Sequence, residues 1–341
     1  MMKTQIVYVA ISSDEDYFLE ELWVSVFSLR HYHPNDRVVV LTDLETCKRI
    51  NERPGLKHLF TEIRTIDMPA NFNNRLRSRI IKTNIRNYID GDFLFIDTDT
   101  VICGSLEEID KLYIKNIAMV PELHGPFQKH ITYEYVKKTT EELFDINLSN
   151  CPYWFNSGCM LVRDNQFTRQ FFLKWHETWK WAALEKGAWT DQKSLLKVDA
   201  EYGYAIERLP DIYNCQIALS VEYFCDAKIL HFWHMRKSFM SEVEFCPFLN
   251  KDIYKSVRRD NCISKENIEI ILHPKNAFNS PSVIVGREEQ TMLMSPFYTF
   301  LWQAYNDSWL FKVVIDVVIK IAIWRNRIIN KINGKKKDTR W

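Results

Sequence analysis

The fold of this chain is decided by the stretch Phe93-Leu94-Phe95-Ile96-Asp97-Thr98-Asp99. Four apolar residues follow the polar turn 90–92, a pattern that predicts a buried strand opening after that turn. Ligands of α/β sheets gather at the carboxyl ends of such strands. Asp97 and Asp99 are therefore expected where a divalent cation could meet a diphosphate, because hard carboxylate oxygens suit Mg²⁺ or Mn²⁺. Surface turns also carry Asp-x-Asp, so a turn without an ion stays an alternative.

The composition describes a globular chain without an overall charge bias. Its 341 residues are 46% hydrophobic and carry a formal net charge of +1, so a packed core is expected and a nucleic-acid partner is not. The eight cysteines include no Cys-x-x-Cys pair, which favours a reducing compartment. The apolar run 6–11 is too short for a signal peptide, so a cytoplasmic location is expected.

Strand and helix signals alternate through residues 1–240, which is typical of a mostly parallel α/β sheet flanked by helices. The predicted strands are 6–11, 38–41, 59–66, 93–96, 117–120, 153–162 and 229–232. The predicted helices include 18–29, 75–89 and 164–185. We expect a catalytic domain over 1–240, a variable lobe over 241–308 and a helical tail over 309–341.

Two helix starts carry candidate caps. Ser12, Ser13 and Asp14 precede the apolar spacing that predicts the first helix. Ser105 with Glu108 three residues later forms the pattern of a capping box.

The tail combines an apolar stretch with basic residues. Lys312, Asp316 and Lys320 are four residues apart, so on a helix they form one narrow polar stripe. The apolar part is too short and too charged to span a bilayer. It predicts a basic amphipathic helix over 309–337 on an anionic membrane surface, with burial against the main domain as the alternative.

Polar residues elsewhere could complete a site around the two aspartates. The groups are Ala10, Ser12 and Tyr17 near the first strand end; Arg79 and Lys82; Asn156 inside an apolar strand; Asp191 and Gln192 opening a helix; and His231 and Lys237 near the last strand. Each group alone could be an ordinary cap, a solvated helix face, a strand kink or a structural histidine.

Taken in order, these pieces resemble glycosyltransferase family 8, the glycogenin-like and lipooligosaccharide galactosyltransferase-like enzymes of GT-A fold. The matching pieces are the opening strand with Tyr17, Phe-Ile-Asp-Thr-Asp at 95–99, Phe-Asn-Ser-Gly at 155–158, Asp191-Gln192, and His231 followed six residues later by Lys237. The resemblance covers about residues 5–240.

The resemblance implies a role for each matching position. Asp97, Asp99 and His231 would hold Mn²⁺ (or Mg²⁺) against the donor diphosphate, with Thr98 between the aspartates. Lys237 would bind the diphosphate, and the basic position upstream of the aspartates maps to Lys82 or Arg79. Asn156, Asp191 and Gln192 map to positions that contact the donor sugar, and Ala10, Ser12 and Tyr17 fall near the nucleotide.

The sequence departs from the family pattern after His231. The family pattern is His-x-x-Gly-x-x-Lys-Pro-Trp, whereas His234 stands here at the glycine position and Ser238-Phe239 replace Pro-Trp. Glycine allows a backbone to approach a phosphate closely, so we expect an altered diphosphate pocket.

The function that this resemblance implies is hexose transfer from a UDP-sugar to a glycan acceptor with retention. The basic tail and the expected cytoplasmic location favour a membrane-bound glycan or glycolipid acceptor, in bacterial lipopolysaccharide or capsule synthesis. Asp191 is the motif carboxylate that could act as nucleophile in a double displacement, and attack on the same face as the leaving UDP is the alternative. A non-catalytic nucleotide-sugar or glycan-binding protein remains a competing interpretation. So does a sugar-phosphate nucleotidyltransferase, although residues 11–14 lack the glycine of a phosphate loop.

Overall fold

The computed structural model describes residues 1–69, 72–130, 132–217, 222–232, 247–277, 292 and 295–332. The chain divides into two compact units, residues 1–284 and 285–341. The strands are β1 (Gln5–Ala10), β2 (Val38–Thr42), β3 (Glu62–Thr65), β4 (Phe93–Ile96), β5 (Thr100–Ile102), β6 (Ile117–Pro121), β7 (Phe155–Val162), β8 (Glu207–Arg208), β9 (Cys215–Gln216) and β10 (Ile229–His231).

Helices surround these strands and form the carboxyl-terminal unit. They are α1 (Phe18–Tyr32), α2 (Leu44–Asn51), α3 (Pro54–Lys57), α4 (Asn74–Thr83), α5 (Ile85–Tyr88), α6 (Tyr133–Phe144), α7 (Gln166–Lys186), α8 (Asp191–Glu201), α9 (Pro247–Asn250), α10 (Asp252–Asp260), α11 (Lys265–Leu272), α12 (Pro296–Asp307) and α13 (Trp309–Ile332).

The main sheet has seven strands in the order β3-β2-β1-β4-β7-β6-β8. Every neighbouring pair is parallel except the two that β7 makes with β4 and β6. The predicted mostly parallel α/β fold is therefore confirmed. A smaller sheet, β5-β10-β9, lies beyond the end of β4 and pairs His231 with Thr100.

The strands β1, β2, β4, β6 and β7 of the main sheet are buried throughout, which explains why they are mostly continuous apolar runs. Ile6 and Tyr8 of β1 pack in the same cluster as Trp23 of α1. Val7, the residue between them, packs in a second cluster with Trp175 of α7. Because successive side chains of a strand point to opposite faces of the sheet, β1 contributes to a hydrophobic core on each face.

The first predicted helix cap is wrong. The helix α1 begins at Phe18, and its N-cap Tyr17 makes no side-chain capping bond. Ser12 and Ser13, which were expected to cap α1, bond to Asp16 instead. The Asp16 carboxylate accepts from the Ser12 hydroxyl at 2.7 Å and from the Ser13 amide at 2.8 Å.

Two other helix predictions differ from the structure. The segment after Ser105 forms only the 3₁₀ turn Glu107–Lys111, whose Ile109 side chain is buried. The turn ends there because the next residue, Leu112, is extended. The predicted helix 75–89 is split at Asn84 into α4 and α5.

The described residues 295–332 of the carboxyl-terminal unit form the two helices α12 and α13. The Tyr305 hydroxyl of α12 donates to Asp316 of α13 at 2.8 Å, and the Lys312 ammonium lies 5.3 Å from the Tyr305 ring centre. Two members of the predicted polar stripe on α13 thus contact α12. Within the described residues, no helix combines the length and apolarity needed to cross a membrane.

Candidate active site

Three candidate metal ligands converge at the carboxyl end of β4. Asp97 follows β4 directly, and Asp99 precedes β5. Because β5 pairs with β10, His231 is brought beside this turn. One ligand atom from each of these three residues lies within 4.8 Å of the others. The structure therefore assembles the predicted set from segments more than 130 residues apart in sequence.

The chemistry of this donor set fits a divalent cation. His231 Nε2 lies 3.2 Å from Asp99 Oδ1, and both side chains are almost fully buried. Two carboxylates and an imidazole offer the oxygen and nitrogen ligands that Mn²⁺ accepts. A cation or a proton placed among them offsets the repulsion between two nearby carboxylates.

Both basic candidates upstream of the aspartates reach the site from α4. Lys82 is only 2% exposed, and its Nζ lies 3.0 and 2.9 Å from the two carboxylate oxygens of Asp97. The same ammonium is 3.8 Å from Asp191. Arg79 lies one turn earlier, and its Nε is 2.9 Å from Asp191 Oδ1. Lys82 therefore lies between the metal side of the site and Asp191.

Asp191 is a buried, ionised carboxylate at the first position of α8. Burial raises its pKa, but Arg79, Lys82 and a 2.8 Å hydrogen bond from the Ser157 hydroxyl outweigh burial and lower the pKa to about 2. Its side chain is directed into the site rather than used as a cap of α8. Asp191 therefore lies beside Arg79 and Lys82, and its contact with a donor sugar stays a prediction.

Glu122 is a site residue that the sequence analysis did not predict. This buried residue follows β6, and its Oε2 accepts from Asn156 Nδ2 at 2.8 Å and from Gln192 Nε2 at 2.9 Å. It therefore joins two of the residues expected near the donor sugar. A charged residue directly after a buried strand is the same signal that identified Asp97, and it could have identified Glu122.

Comparisons with solved structures identify the fold. The apo structure of the bifunctional glycosyltransferase WbbM matches with a TM-score of 0.50 and 17% identity, over 79% of this chain and 51% of WbbM. The galactosyltransferase LgtC, in complex with donor and acceptor sugar analogues, matches with a TM-score of 0.50 and 15% identity, over 77% of this chain and 98% of LgtC. An active-site mutant of LgtC gives a TM-score of 0.51.

The chain has the GT-A fold. It spans about half the length of WbbM and nearly the whole of LgtC. No protein-family model matches the sequence, and a search of curated proteins finds no significant relative. The fold expected from the Asp-x-Asp strand is thus confirmed by structure rather than by sequence identity.

The strand β7 of this GT-A sheet is irregular where Asn156, Ser157 and Gly158 occur. Its register against β6 shifts at this point, as polar residues and a glycine in an apolar strand suggested. A β-carbon on Gly158 would overlap the His231 ring. Glycine here therefore serves the close approach of the histidine.

The residues expected near the nucleotide lie at the carboxyl end of β1. Ala10 and Ser12 are buried, and the Tyr17 ring lies under Arg258, whose guanidinium is 4.1 Å from the ring centre. Thr98 is buried between the two aspartates. An open cavity of about 710 Å³ lies next to this strand end, lined by residues 13–15, Arg49 and residues 73–75. Contact of these residues with a nucleotide stays a prediction.

The diphosphate lysine cannot be placed. Lys237 lies outside the described residues, together with His234, Ser238 and Phe239 at the departures from the family pattern. Their roles stay predictions.

Proposed function

We propose that this protein is a metal-dependent glycosyltransferase that moves a hexose from a UDP-sugar to a glycan acceptor with retention. The proposal rests on one observation, the convergence of Asp97, Asp99 and His231 with the buried Lys82 and the half-buried Arg79 at the carboxyl edge of a GT-A sheet. Such an edge is where α/β folds bind nucleotides.

The chain supplies a charge pattern suited to a leaving diphosphate. A bound Mn²⁺ or Mg²⁺ would act as a Lewis acid toward the diphosphate oxygens. Asp97, Asp99 and His231 would hold that ion. Lys82 fixes the orientation of Asp97, and Lys237 is proposed to neutralise further phosphate charge.

The contacts of Asp191 favour attack by the acceptor on the face from which UDP departs. A double displacement needs a carboxylate nucleophile directed at the anomeric carbon. One oxygen of Asp191 pairs with Arg79, and the other accepts from Ser157. We therefore assign Asp191 to ordering the sugar side of the site. In same-face attack, a departing phosphate oxygen takes the proton of the acceptor hydroxyl.

The two competing interpretations fit these contacts less well. A nucleotidyltransferase would need a phosphate-binding loop after β1, where residues 12–14 carry no glycine. A non-catalytic glycan-binding protein has no need of a buried lysine bonded to a candidate metal ligand.

We further propose a glycolipid acceptor, such as a lipopolysaccharide core or a lipid-linked capsule precursor, at the cytoplasmic face of a membrane. The carboxyl-terminal helix pair supports this proposal because its polar contacts lie between the helices while large apolar side chains are exposed. Among them are Phe297, which is 71% exposed, and Trp324, which is 65% exposed. Residues 309–341 carry nine basic and two acidic side chains, which complement anionic lipid.

Calorimetric titration of UDP into the protein tests the proposed activity. Binding should require Mn²⁺, disappear with EDTA, and be lost in Asp99→Ala. A protein that binds UDP in this way should then hydrolyse or transfer one member of a panel of UDP-hexoses. Binding of UDP that is unaffected by EDTA and by Asp99→Ala would contradict metal-dependent donor binding.

A further inference from the structure

A chain of hydrogen bonds connects one backbone amide to the candidate metal ligand His231. It starts at the Gly158 amide, which donates to Asn156 Oδ1 at 2.9 Å. A backbone N–H is always a donor, so the Asn156 atom that receives it must be the carbonyl oxygen. The Asn156 nitrogen then points to the carboxylate of Glu122, as the 2.8 Å bond between them requires. The orientation of this amide is therefore fixed at both ends.

The fixed amide of Asn156 dictates the orientation of Asn214. The atom of Asn214 that lies 2.9 Å from Asn156 Oδ1 must be a donor, because Asn156 Oδ1 can only accept. This atom is therefore the amide nitrogen, Nδ2. Asn214 Oδ1 consequently faces His231 Nδ1 at 2.8 Å. Because this oxygen can only accept, Nδ1 of His231 must carry the proton. Asn214 is fully buried, so water does not offer an alternative partner.

We propose that Asn214 is a positioning residue that keeps a proton on Nδ1 of His231 and so reserves Nε2 for the metal. Nε2 is the imidazole atom 3.2 Å from Asp99, on the side of the ligand cluster. Outer partners of this kind commonly fix the tautomer and ring orientation of a ligating histidine. The inference rests on the metal site of the proposed function, but not on the identity of the donor or acceptor.

The same network continues to the sugar side of the site. Glu122 Oε2 also accepts from Gln192 Nε2 at 2.9 Å. Five side chains, those of Gln192, Glu122, Asn156, Asn214 and His231, therefore form one connected set. The candidate metal ligand and the sugar side of the site are therefore joined by an unbroken series of hydrogen bonds.

The protonation of His231 can be measured directly in the metal-free full-length protein. Selective ¹⁵N labelling of histidine and long-range ¹H–¹⁵N correlation distinguish a protonated from an unprotonated Nδ1, and the His231→Gln variant assigns the signal. We expect a protonated Nδ1. An unprotonated Nδ1 would overturn the proposal, and this measurement needs no sugar nucleotide.

Variants provide the second arm of the test. In Asn214→Ala, we expect that the proton of His231 is no longer confined to Nδ1. We also expect a ten- to hundredfold weaker affinity for Mn²⁺ alone, measured by electron paramagnetic resonance. Asn165→Ala is the matched control for lost stability, because Asn165 caps α7 at the opposite end of β7. Unchanged protonation and affinity in a folded Asn214→Ala would refute the proposal. Protonated Nδ1 in a protein that binds no UDP would support this inference while the proposed function failed.

Discussion

Lys82 forms a two-pronged ion pair with Asp97, with its ammonium nitrogen 3.0 and 2.9 Å from the two carboxylate oxygens. The lysine is almost completely buried, whereas the Asp97 side chain keeps 25% of its surface exposed. The exposed part leaves room for a ligand on the outer side of the carboxylate. Lys82 therefore orients Asp97 from the buried side and leaves the exposed side of the carboxylate accessible.

Removal of the Lys82 charge should impair activity more than folding. In Lys82→Met, Asp97 and Asp191 lose a shared cation, and we expect kcat/KM to fall by about 10²-fold, the scale of losing one preorganised electrostatic contact. Steady-state kinetics with the active donor check this expectation. Lys174→Met on the exposed surface of α7 is the control and should retain full activity. Wild-type kinetics in Lys82→Met would exclude a role for this ion pair.

Asp191 should make stability fall in acid. Its pKa is about 2 in the folded protein against an ordinary value of 3.8, so the unfolded state binds more protons between these values. The contribution is therefore complete above pH 4 to 5 and is lost as the pH falls toward 2. It amounts to about 2 kcal/mol.

Urea unfolding of wild type and Asp191→Asn between pH 6 and pH 3 measures this contribution. The difference in the free energy of unfolding should shrink as the pH is lowered. A difference that stays constant or grows in acid would contradict a lowered pKa of Asp191.

Gly158 should not tolerate a side chain. An added β-carbon would overlap the His231 ring and Asn156 Oδ1, so Gly158→Ala should cost about 1 to 3 kcal/mol of stability and weaken Mn²⁺ binding at least tenfold. Thermal unfolding and Mn²⁺ titration provide the two readouts. Gly125→Ala is the matched control, since its β-carbon would meet only Leu123 O, at an ordinary 3.8 Å. Equal behaviour of the two variants would contradict the close approach.

The helix pair α12 and α13 should bind anionic vesicles. We expect the full-length protein to sediment with phosphatidylglycerol vesicles but not with phosphatidylcholine vesicles, and binding should weaken as salt rises. The double variant Val317→Glu with Ile321→Glu places charges at exposed apolar positions of α13 and should reduce partitioning at least tenfold.

Tyr113→Glu is the control for that experiment because Tyr113 is 96% exposed in the first unit. It should bind vesicles as the wild type does. If the double variant partitions as strongly as the control, the helix pair is not the membrane-binding surface. A concentration-dependent dimer abolished by the double variant would instead assign the apolar surface to a second copy of the chain.

Local pattern in the sequence was enough for the central strands of the main sheet and for the two aspartates, whereas the short strands β5, β8 and β9 were not predicted. The apolar run of β4 predicts a buried strand, and a buried parallel strand places whatever follows it at the ligand edge, so Asp97 and Asp99 could be recognised from adjacent residues alone. His231 was expected as a ligand from the resemblance to glycosyltransferase family 8, because a histidine at a strand end could by itself be structural. The helix caps were predicted less well, because Ser12 and Ser13 bond to Asp16 rather than to the start of α1.

The sequence by itself thus determined the α/β sheet and the two aspartates at its ligand edge, since burial and strand polarity are encoded by neighbouring residues. The resemblance to a known family added His231 to them. Only the tertiary structure decided which polar atoms meet. Glu122, Ser157 and Asn214 come from three different strands or strand ends. Lys82 proved to lie between Asp97 and Asp191, and Asp191 also pairs with Arg79. Their orientations follow from hydrogen bonds between residues 34 to 70 positions apart. Contacts over such separations depend on how the strands are ordered in the sheet, which no local pattern records.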